Sequence, residues 1–325
     1  MKHYFILNPA AGKGKKQNDL ADAIKKACTE RSVDYEIYFT VGCKDAERFV
    51  RETAKKEGEK QLRFYMCGGD GTFNEGVNGA VGFDNVSIGI IPVGTGNDFV
   101  RNFENKESFF DISAQLDGQN MEIDLISYGD RYCANMMNIG FDCKAAIYAS
   151  EMKKKAFVPA KLAYIAGVLK ALIKMPGVKA KVHCEGEDVA EKDCILVCVA
   201  NGMFCGGGFK CAPYVAVNDG KMNLNAISRV NRVQFVKLVG SYKNGTYVTD
   251  KNSDIIDYNV CTSATLEFDS EAAVSIDGEV ERHSSLKLEI KPRAVKFVVP
   301  KGCVPVKTDA LPSVAHDRTG SAVSV

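Results

Sequence analysis

The chain has 325 residues, with 42 Lys and Arg against 41 Asp and Glu, for a formal net charge of +1. That length leaves room for about two domains and a large core, so folding requires neither disulfides nor a metal. A composition of 46% hydrophobic and 26% charged residues excludes disorder and collagen-like repeats. The near-zero charge argues against a nucleic-acid partner held by bulk electrostatics, while leaving room for a local basic patch.

In chain order, HYFILN (3–8) predicts a strand and Asp19–Glu30 a helix; YEIYF (35–39) and Asp45–Gly58 repeat the pair. LRFYMC (62–67) is a third strand, a helix covers roughly Phe73–Val81, and SIGII (87–91) is a fourth strand. Short apolar strands separated by helices of this length predict βαβ units around a parallel sheet.

After about Met121 the pattern changes. EIDLISY and RYCANMM flank Gly129-Asp130, a hairpin signal. Further strands are predicted over Val178–Cys184, Cys194–Ala200, Met222–Ile227, Thr262–Phe268, Ala272–Ile276, Leu286–Ile290 and Val295–Val299, interrupted by one helix around Pro159–Lys174. Asp219-Gly220, Asn244-Gly245 and Asp277-Gly278 read as turns. The pattern predicts an α/β domain over 1–124 and an antiparallel β domain, a sandwich or split barrel, over 125–305, whose last strands are free to return to the first domain. Residues 306–325 lack aromatics and any period, and predict a flexible tail.

The 12 cysteines match neither zinc nor CxxC spacing. MKHYFILNPAAG runs straight into a strand without a signal-peptide pattern, which predicts a cytoplasmic, reducing setting and free thiols. No apolar run approaches membrane-spanning length. His3, His183, His283 and His316 form no constellation.

Glycine carries the strongest signal. Nine of the 29 glycines fall between Gly68 and Asp98, seven of them in CGGDGTFNEGVNG (67–79) and PVGTGND (92–98), each directly after a predicted strand. Glycines at the carboxyl ends of parallel strands let backbone approach a ligand, and the following helix N-terminus offers N–H groups to phosphate. Neither GxxxxGK[ST] nor GxGxxG is present, so a P-loop NTPase and a standard dinucleotide dehydrogenase lose ground. Plain tight turns remain the structural alternative.

Asn8-Pro9-Ala10-Ala11-Gly12, Gly68-Gly69-Asp70-Gly71-Thr72-Phe73-Asn74 and Gly94-Thr95-Gly96-Asn97-Asp98 occur in that order, followed by Gly206-Gly207-Gly208, Pro213 through Asn218-Asp219-Gly220, and Asp277-Gly278-Glu279. The sequence resembles the diacylglycerol kinase catalytic-domain family, in particular soluble bacterial lipid kinases related to sphingosine kinases, over roughly residues 1–300. The resemblance implies a Rossmann-like three-layer α/β domain followed by a β-sandwich domain. It implies ATP contacts from Asn8, Pro9, Ala10, Ala11, Gly12, Thr40, Gly68, Gly69, Asp70, Gly71, Thr72, Phe73, Asn74 and Thr95, and Asp98 joins them on the second glycine loop. Lys13, Lys15 and Lys16 are free either to neutralise phosphate or to sit solvated.

Asp70 lies among donors that attract phosphate, so a Mg²⁺ bridging carboxylate and ligand fits there, and a helix N-cap is its alternative. Asp98 carries the same ambiguity. The resemblance implies a second, structural Mg²⁺ on the Asp219 carboxylate and the carbonyls of Ala216 and Lys221, where residues alone favour an Asp-Gly turn. It also places the proton acceptor at Glu279 of Asp277-Gly278-Glu279, with Asp70 as rival and Asp277 counted with them among the catalytic residues. The expected activity is ATP- and Mg²⁺-dependent phosphorylation of a lipid hydroxyl, most simply diacylglycerol to phosphatidic acid; an NAD kinase-like enzyme and a non-catalytic ATP-binding regulator are the alternatives.

A water-insoluble substrate calls for a docking surface. Glu151–Lys181 holds Lys153, Lys154, Lys155, Lys161, Lys170, Lys174, Lys179 and Lys181, with Glu151 its sole acid. Leu162, Ile165, Leu169, Leu172 and Ile173 recur at helical spacing after Pro159. This reads either as a basic helix on an anionic membrane surface, at the inner face, or as a core helix with a wet lysine side. A homodimer is the remaining partner state admitted.

Overall fold

The structure, a computed structural model, describes residues 1–11, 15–155 and 160–319. The chain forms two compact units: Met1–Leu125 with Ala216–Gly220 and Lys291–Lys307, and Ile126–Val215 with Lys221–Ile290 and Thr308–Val325.

The first unit opens with β1 (Lys2–Leu7), α1 (Lys15–Glu30), β2 (Tyr35–Phe39), α2 (Asp45–Glu57), β3 (Leu62–Gly68), α3 (Asp70–Ala80) and β4 (Val86–Pro92). The strands pair in parallel in the order β4-β3-β1-β2. Alternation of side chains along each strand explains the layering. Phe5, Leu7, Tyr65 and Cys67 share a core with Ala21, Ile24 and Cys28 of α1 and with Ile112. Tyr4 of the opposite face stacks on Phe64 and meets Phe49 of α2 edge-on. Both faces are covered, so every residue of β3 and β4 is buried, Arg63 and Ser87 included. Then follow β5 (Phe103–Glu104) and α4 (Ile112–Leu116), whose cap, Asp111, accepts from the Ser113 N–H.

Strand β6 (Gln119–Tyr128) starts in the first unit and ends in the second, where its last residues hairpin onto β7 (Arg131–Cys133). After β8 (Met136–Gly140) come α5 (Phe141–Lys155) and α6 (Ala160–Lys174), then β9 (Val178–Cys184) and β10 (Glu187–Ala200). A small hairpin, β11 (Phe204–Cys205) with β12 (Phe209–Lys210), turns on Gly206–Gly208, all at positive φ. Next are β13 (Met222–Ser228), α7 (Arg232–Asn244), β14 (Ile256–Cys261), β15 (Ser263–Ile276) and β16 (Glu279–Val299), which from Lys291 on belongs to the first unit, as does β17 (Val304–Pro305), paired with β5; β18 (His316–Asp317) lies in the second unit. Within this unit the order is β18-β14-β13-β10-β8-β15-β16, with β9 pairing β10 and β15. All these pairings are antiparallel except β14 with β18. Val182, Val197, Leu224, Leu266, Val274 and Leu288 lie in its core, all nearly inaccessible.

Several sequence expectations need correction. Thr262–Phe268 and Ala272–Ile276 are one strand, β15, with a register shift between Glu267 and Ala272. Leu286–Ile290 and Val295–Val299 are likewise one strand, whose last residues pair in parallel with β4. Helices α5 and α7 appear beside the expected α6. The Asn244-Gly245 turn is the end of α7, with Gly245 left-handed at φ 74°. The tail expected to be flexible is anchored in its described part: β18 pairs with β14, and Arg318 Nε donates to Asn259 Oδ1 at 2.6 Å.

Candidate active site

The expected phosphate-binding residues of the first unit gather at the carboxyl ends of the parallel strands, where open α/β sheets bind ligands. Asn8, just past β1, donates through Nδ2 to Thr72 Oγ1 of α3 at 2.9 Å, and its own Oδ1 accepts the Ala10 N–H at 3.0 Å. Thr40 follows β2 and is fixed to β1 by its N–H to the Leu7 carbonyl at 2.9 Å. Pro9 and Ala10 are exposed, and Ala11 half-buried. Gly12, like Lys13, lies outside the described residues, as do the side chains of Lys15 and Lys16.

The two glycine loops are locked to one another. The Gly68 carbonyl accepts from the N–H groups of both Val93 and Gly94. A Cβ on Gly94 would stand 2.6 Å from the Gly69 Cα, so the two backbones meet at a distance that no side chain fits. Asp70, the first residue of α3, reaches across to the second loop: its Oδ1 accepts the N–H of Asp98 at 2.9 Å and of Phe99 at 3.3 Å. Gly96 lies over the other Asp70 oxygen, where an added Cβ would come within 2.9 Å of Oδ2. Asp98 pairs with Arg101 at 3.3 Å, and Arg101 also approaches the Gly96 carbonyl. Thr95 is exposed at the loop tip, and Gly69, Asp70 and Gly71 are partly open. The result is a rim of backbone N–H groups at the positive end of the α3 dipole, with two carboxylates beside it.

Not every expected residue faces this rim. Phe73 is a correction: its ring is 2% exposed and packs on Phe99 at 4.5 Å and edge-on to Phe297 at 5.7 Å, so only its backbone is available to a ligand. Asn74 is buried, and its side-chain oxygen accepts from Asn78 Nδ2 at 3.1 Å.

In the second unit Asp277 and Gly278, at φ 46° and 91°, form the two-residue turn between β15 and β16. Asp277, expected among the catalytic residues, is a structural anchor instead. Its buried carboxylate accepts the N–H of Ala134 at 2.7 Å and of Asn135 and Met136 at 3.0 Å each. The Cys133 thiol also donates to it, and burial, with this charge beside it, pushes that thiol well above its ordinary range. A carboxylate so enclosed holds the β7–β8 connection in place; Glu279, two residues on, is exposed.

The stretch expected to hold a second cation divides. In the first unit Asp219 is exposed and accepts the Ala216 N–H at 3.1 Å, the Asp-Gly turn that residues alone favour. Lys221 belongs to the second unit, where its Nζ meets Asp317 at 2.8 Å. Sequence reasoning passed over Asp124. It is 1% exposed, its Oδ2 accepts the Gly220 N–H at 2.6 Å, and its Oδ1 accepts the Arg293 N–H at 2.8 Å. It thereby ties three separate stretches of the first unit. The signal was available: a lone acid inside the apolar run Ile123-Asp124-Leu125 has to be satisfied by buried donors.

Two stretches together span most of the chain in comparison with known families. Residues 2–128 match the diacylglycerol kinase catalytic domain, and residues 135–299 the YegS C-terminal NAD kinase beta sandwich-like domain. The chain belongs with the proteins that join a diacylglycerol kinase catalytic domain to a YegS C-terminal NAD kinase beta sandwich-like domain. A diacylglycerol kinase of Bacillus subtilis is 25% identical over 283 residues, covering 85% of this chain and 91% of that protein. Two solved structures from Bacillus anthracis share the fold. One superposes with a TM-score of 0.72 at 23% identity, over 92% of this chain and 97% of the other. The second, a diacylglycerol kinase, gives 0.66 at 21% identity over 93% and 98%. Family membership makes the chain a kinase of the lipid kinase class, with a catalytic α/β domain followed by a β-sandwich-like domain. Among the described residues no helix is long and apolar enough to cross a membrane.

Proposed function

We propose that this lipid kinase binds Mg·ATP on its two glycine loops and transfers the γ-phosphoryl group to the free hydroxyl of diacylglycerol, forming phosphatidic acid and ADP. The observation that carries this reading is the lock between the loops: Gly69 and Gly94 in backbone contact, with Asp70 bonded across to Asp98 and Phe99. It holds N–H groups at a helix start in a fixed array, which suits a polyphosphate. The carboxylates of Asp70 and Asp98 beside that array fit a divalent cation, because without one they would repel the ligand. When bound, Mg²⁺ supplies neutralisation of the phosphate charge.

The chain's own residues do the rest. Backbone donors of Gly68–Thr72 and Thr95 hold the phosphates, and Asn8 fixes Thr72. The lipid oxygen attacks the γ-phosphorus as the bond to the bridging oxygen of ADP breaks, and Glu279 takes the hydroxyl proton. Glu279 is preferred over Asp70 because Asp70 already spends an oxygen on two N–H groups of the second loop. Asp219 and the Ala216 carbonyl, followed one residue past the turn by Lys221, offer oxygen donors for a structural Mg²⁺.

The test is labelled ATP with diacylglycerol in detergent micelles, with and without EDTA. Labelled phosphatidic acid should form and vanish with the metal. Glu279→Gln should leave ATP affinity nearly intact by calorimetry and lower turnover about 10²–10⁴-fold. Wild-type protein that binds ATP but labels no acyl-glycerol would overturn the acceptor; full activity in Glu279→Gln would overturn the base.

A further inference from the structure

Helix α6 is apolar on the wrong side. Its inward face, packed on α5, carries small residues: Ala171 is inaccessible, and a Cβ on Gly167 would stand 2.6 Å from the Ala145 carbonyl. Its large residues point to solvent, with Leu162, Ile165, Leu169 and Ile173 exposed by 57%, 54%, 54% and 70%. These positions follow spacings of three, four and four, so they form one stripe. A helix that merely covers a core shows the opposite arrangement.

Helix α7 repeats the pattern beside it. Val233 and Val236 are 65% and 57% exposed, and Tyr242 is its sole buried residue. Arg232, which opens α7, donates through its guanidinium to the carbonyls of Leu172 and Ile173 at the end of α6, the shorter contact being 2.6 Å. That stitch brings the end of one stripe, Ile173, next to the start of the other, Val233. Both helices carry three cations, Lys161, Lys170 and Lys174 on α6 and Arg232, Lys237 and Lys243 on α7, and neither carries a single carboxylate. The chain as a whole is nearly neutral.

We propose that α6 and α7 form one composite surface on which the protein lies on an anionic lipid bilayer, the two apolar stripes entering the headgroup layer and the lysines meeting the lipid charge. Charge selects this occupant. A second copy of the same face would set cations against cations with no carboxylate of either helix to pair, whereas an anionic headgroup layer complements Lys174, Lys237 and Lys243. Lys170 already meets Glu151 of α5 at 3.1 Å, and Arg232 is engaged at the end of α6. Exposed apolar area of this extent on a soluble domain marks an interaction surface. The inference extends the expected membrane contact of Glu151–Lys181 to α7, and rests on the lipid-kinase reading for its purpose. The side chains of Lys153, Lys154, Lys155 and Lys161, and all of Pro159, lie outside the described residues.

The experiment is co-sedimentation of the full chain with vesicles of phosphatidylcholine alone or with 30% phosphatidylglycerol, at low and high salt. Phosphorylation of a short-chain, water-soluble diacylglycerol is measured in parallel. Wild type should sediment with the anionic vesicles and be released by salt. Leu169→Gln with Ile173→Gln, and separately Val233→Gln with Val236→Gln, should each weaken binding at least tenfold. Lys174→Glu and Lys237→Glu should each weaken it about fivefold or more. All four variants should phosphorylate the soluble substrate like wild type and melt within a few degrees of it. Unchanged sedimentation of both double variants would overturn the proposal. So would a wild-type dimer in light scattering that the double variants convert to monomer while vesicle binding persists. Vesicle binding without phosphorylation of the soluble substrate would leave this surface standing and fail the functional reading instead.

Discussion

Asp70 serves two needs with one carboxylate, and substitution separates them. Asp70→Asn keeps an oxygen for the N–H groups of Asp98 and Phe99, whereas Asp70→Ala leaves both without their acceptor. An unmet buried donor costs about 1–3 kcal/mol. Asp70→Ala should therefore lower both the melting temperature and Mg·ATP affinity, while Asp70→Asn should lower affinity with little loss of stability; thermal unfolding with calorimetry distinguishes the two. Equal melting points for both variants would remove Asp70 from the lock. His3 provides the pH dependence. It is buried against Tyr65, and burial, with Arg63 adding to it, lowers its pKa from 6.5 to about 4. Between those values the unfolded chain binds a proton that the fold does not, so stability rises with pH across the window and is lost as pH falls through it. The loss is about 3 kcal/mol at most. Urea unfolding from pH 7.5 down to 4 should show a steeper acid limb in wild type than in His3→Gln, and parallel limbs would contradict this assignment.

At the level of elements, the turn after β15 depends on Asp277. Its carboxylate gathers three N–H groups from Ala134–Met136 and the Cys133 thiol, so Asp277→Ala strands several donors in a buried place. A loss of about 3–5 kcal/mol is expected, the range for breaking a buried charge network. Turnover should fall along with it, since Glu279 rides on the same turn; Asp277→Asn should recover part of the stability. Denaturant titration with a turnover assay checks both, and a fully stable Asp277→Ala protein would contradict the anchor. How legible such elements are in sequence depends on where their signal lies. Strands β1, β3 and β4 were legible because nearly every residue in them is buried, whereas β2, half-exposed at the sheet edge, was marked by its aromatic and β-branched residues. The glycine loops were legible because backbone contact admits no other residue at Gly94. Helix α7 was not: its outward valines hide the helical period, although the Asn231–Gln234 capping box and the left-handed Gly245 mark both ends. Asp277 and Phe73 were placed in the site by motif, but a motif says which residues cluster there and not which way each side chain turns.

Across the whole molecule, the chain returns to each unit more than once, and its last described segment closes the outer edge of the second unit's sheet. Asn259 and Val260 of β14 pair with His316 and Asp317 of β18, and the Arg318 N–H donates to the Val260 carbonyl at 2.8 Å. Side chains reinforce the strand: Asp317 meets Lys221 at 2.8 Å, Arg318 meets Glu187 at 2.9 Å, and Lys210 holds Asp309 at 3.2 Å. Each of these ion pairs is partly exposed and contributes at most about 1 kcal/mol. The segment's larger effect is geometric, since without it β14 becomes a bare edge whose N–H and C=O groups can pair with another chain. Deleting residues 308–325 should leave a folded protein with only a modestly lower melting temperature. Amide exchange should speed up at Asn259 and Val260 far more than in β1–β4, and the truncated chain should aggregate at concentrations where the full chain stays monodisperse. Exchange by mass spectrometry and light scattering provide the measurements. Unchanged protection of β14 would mean that the terminal strand is not what closes that edge.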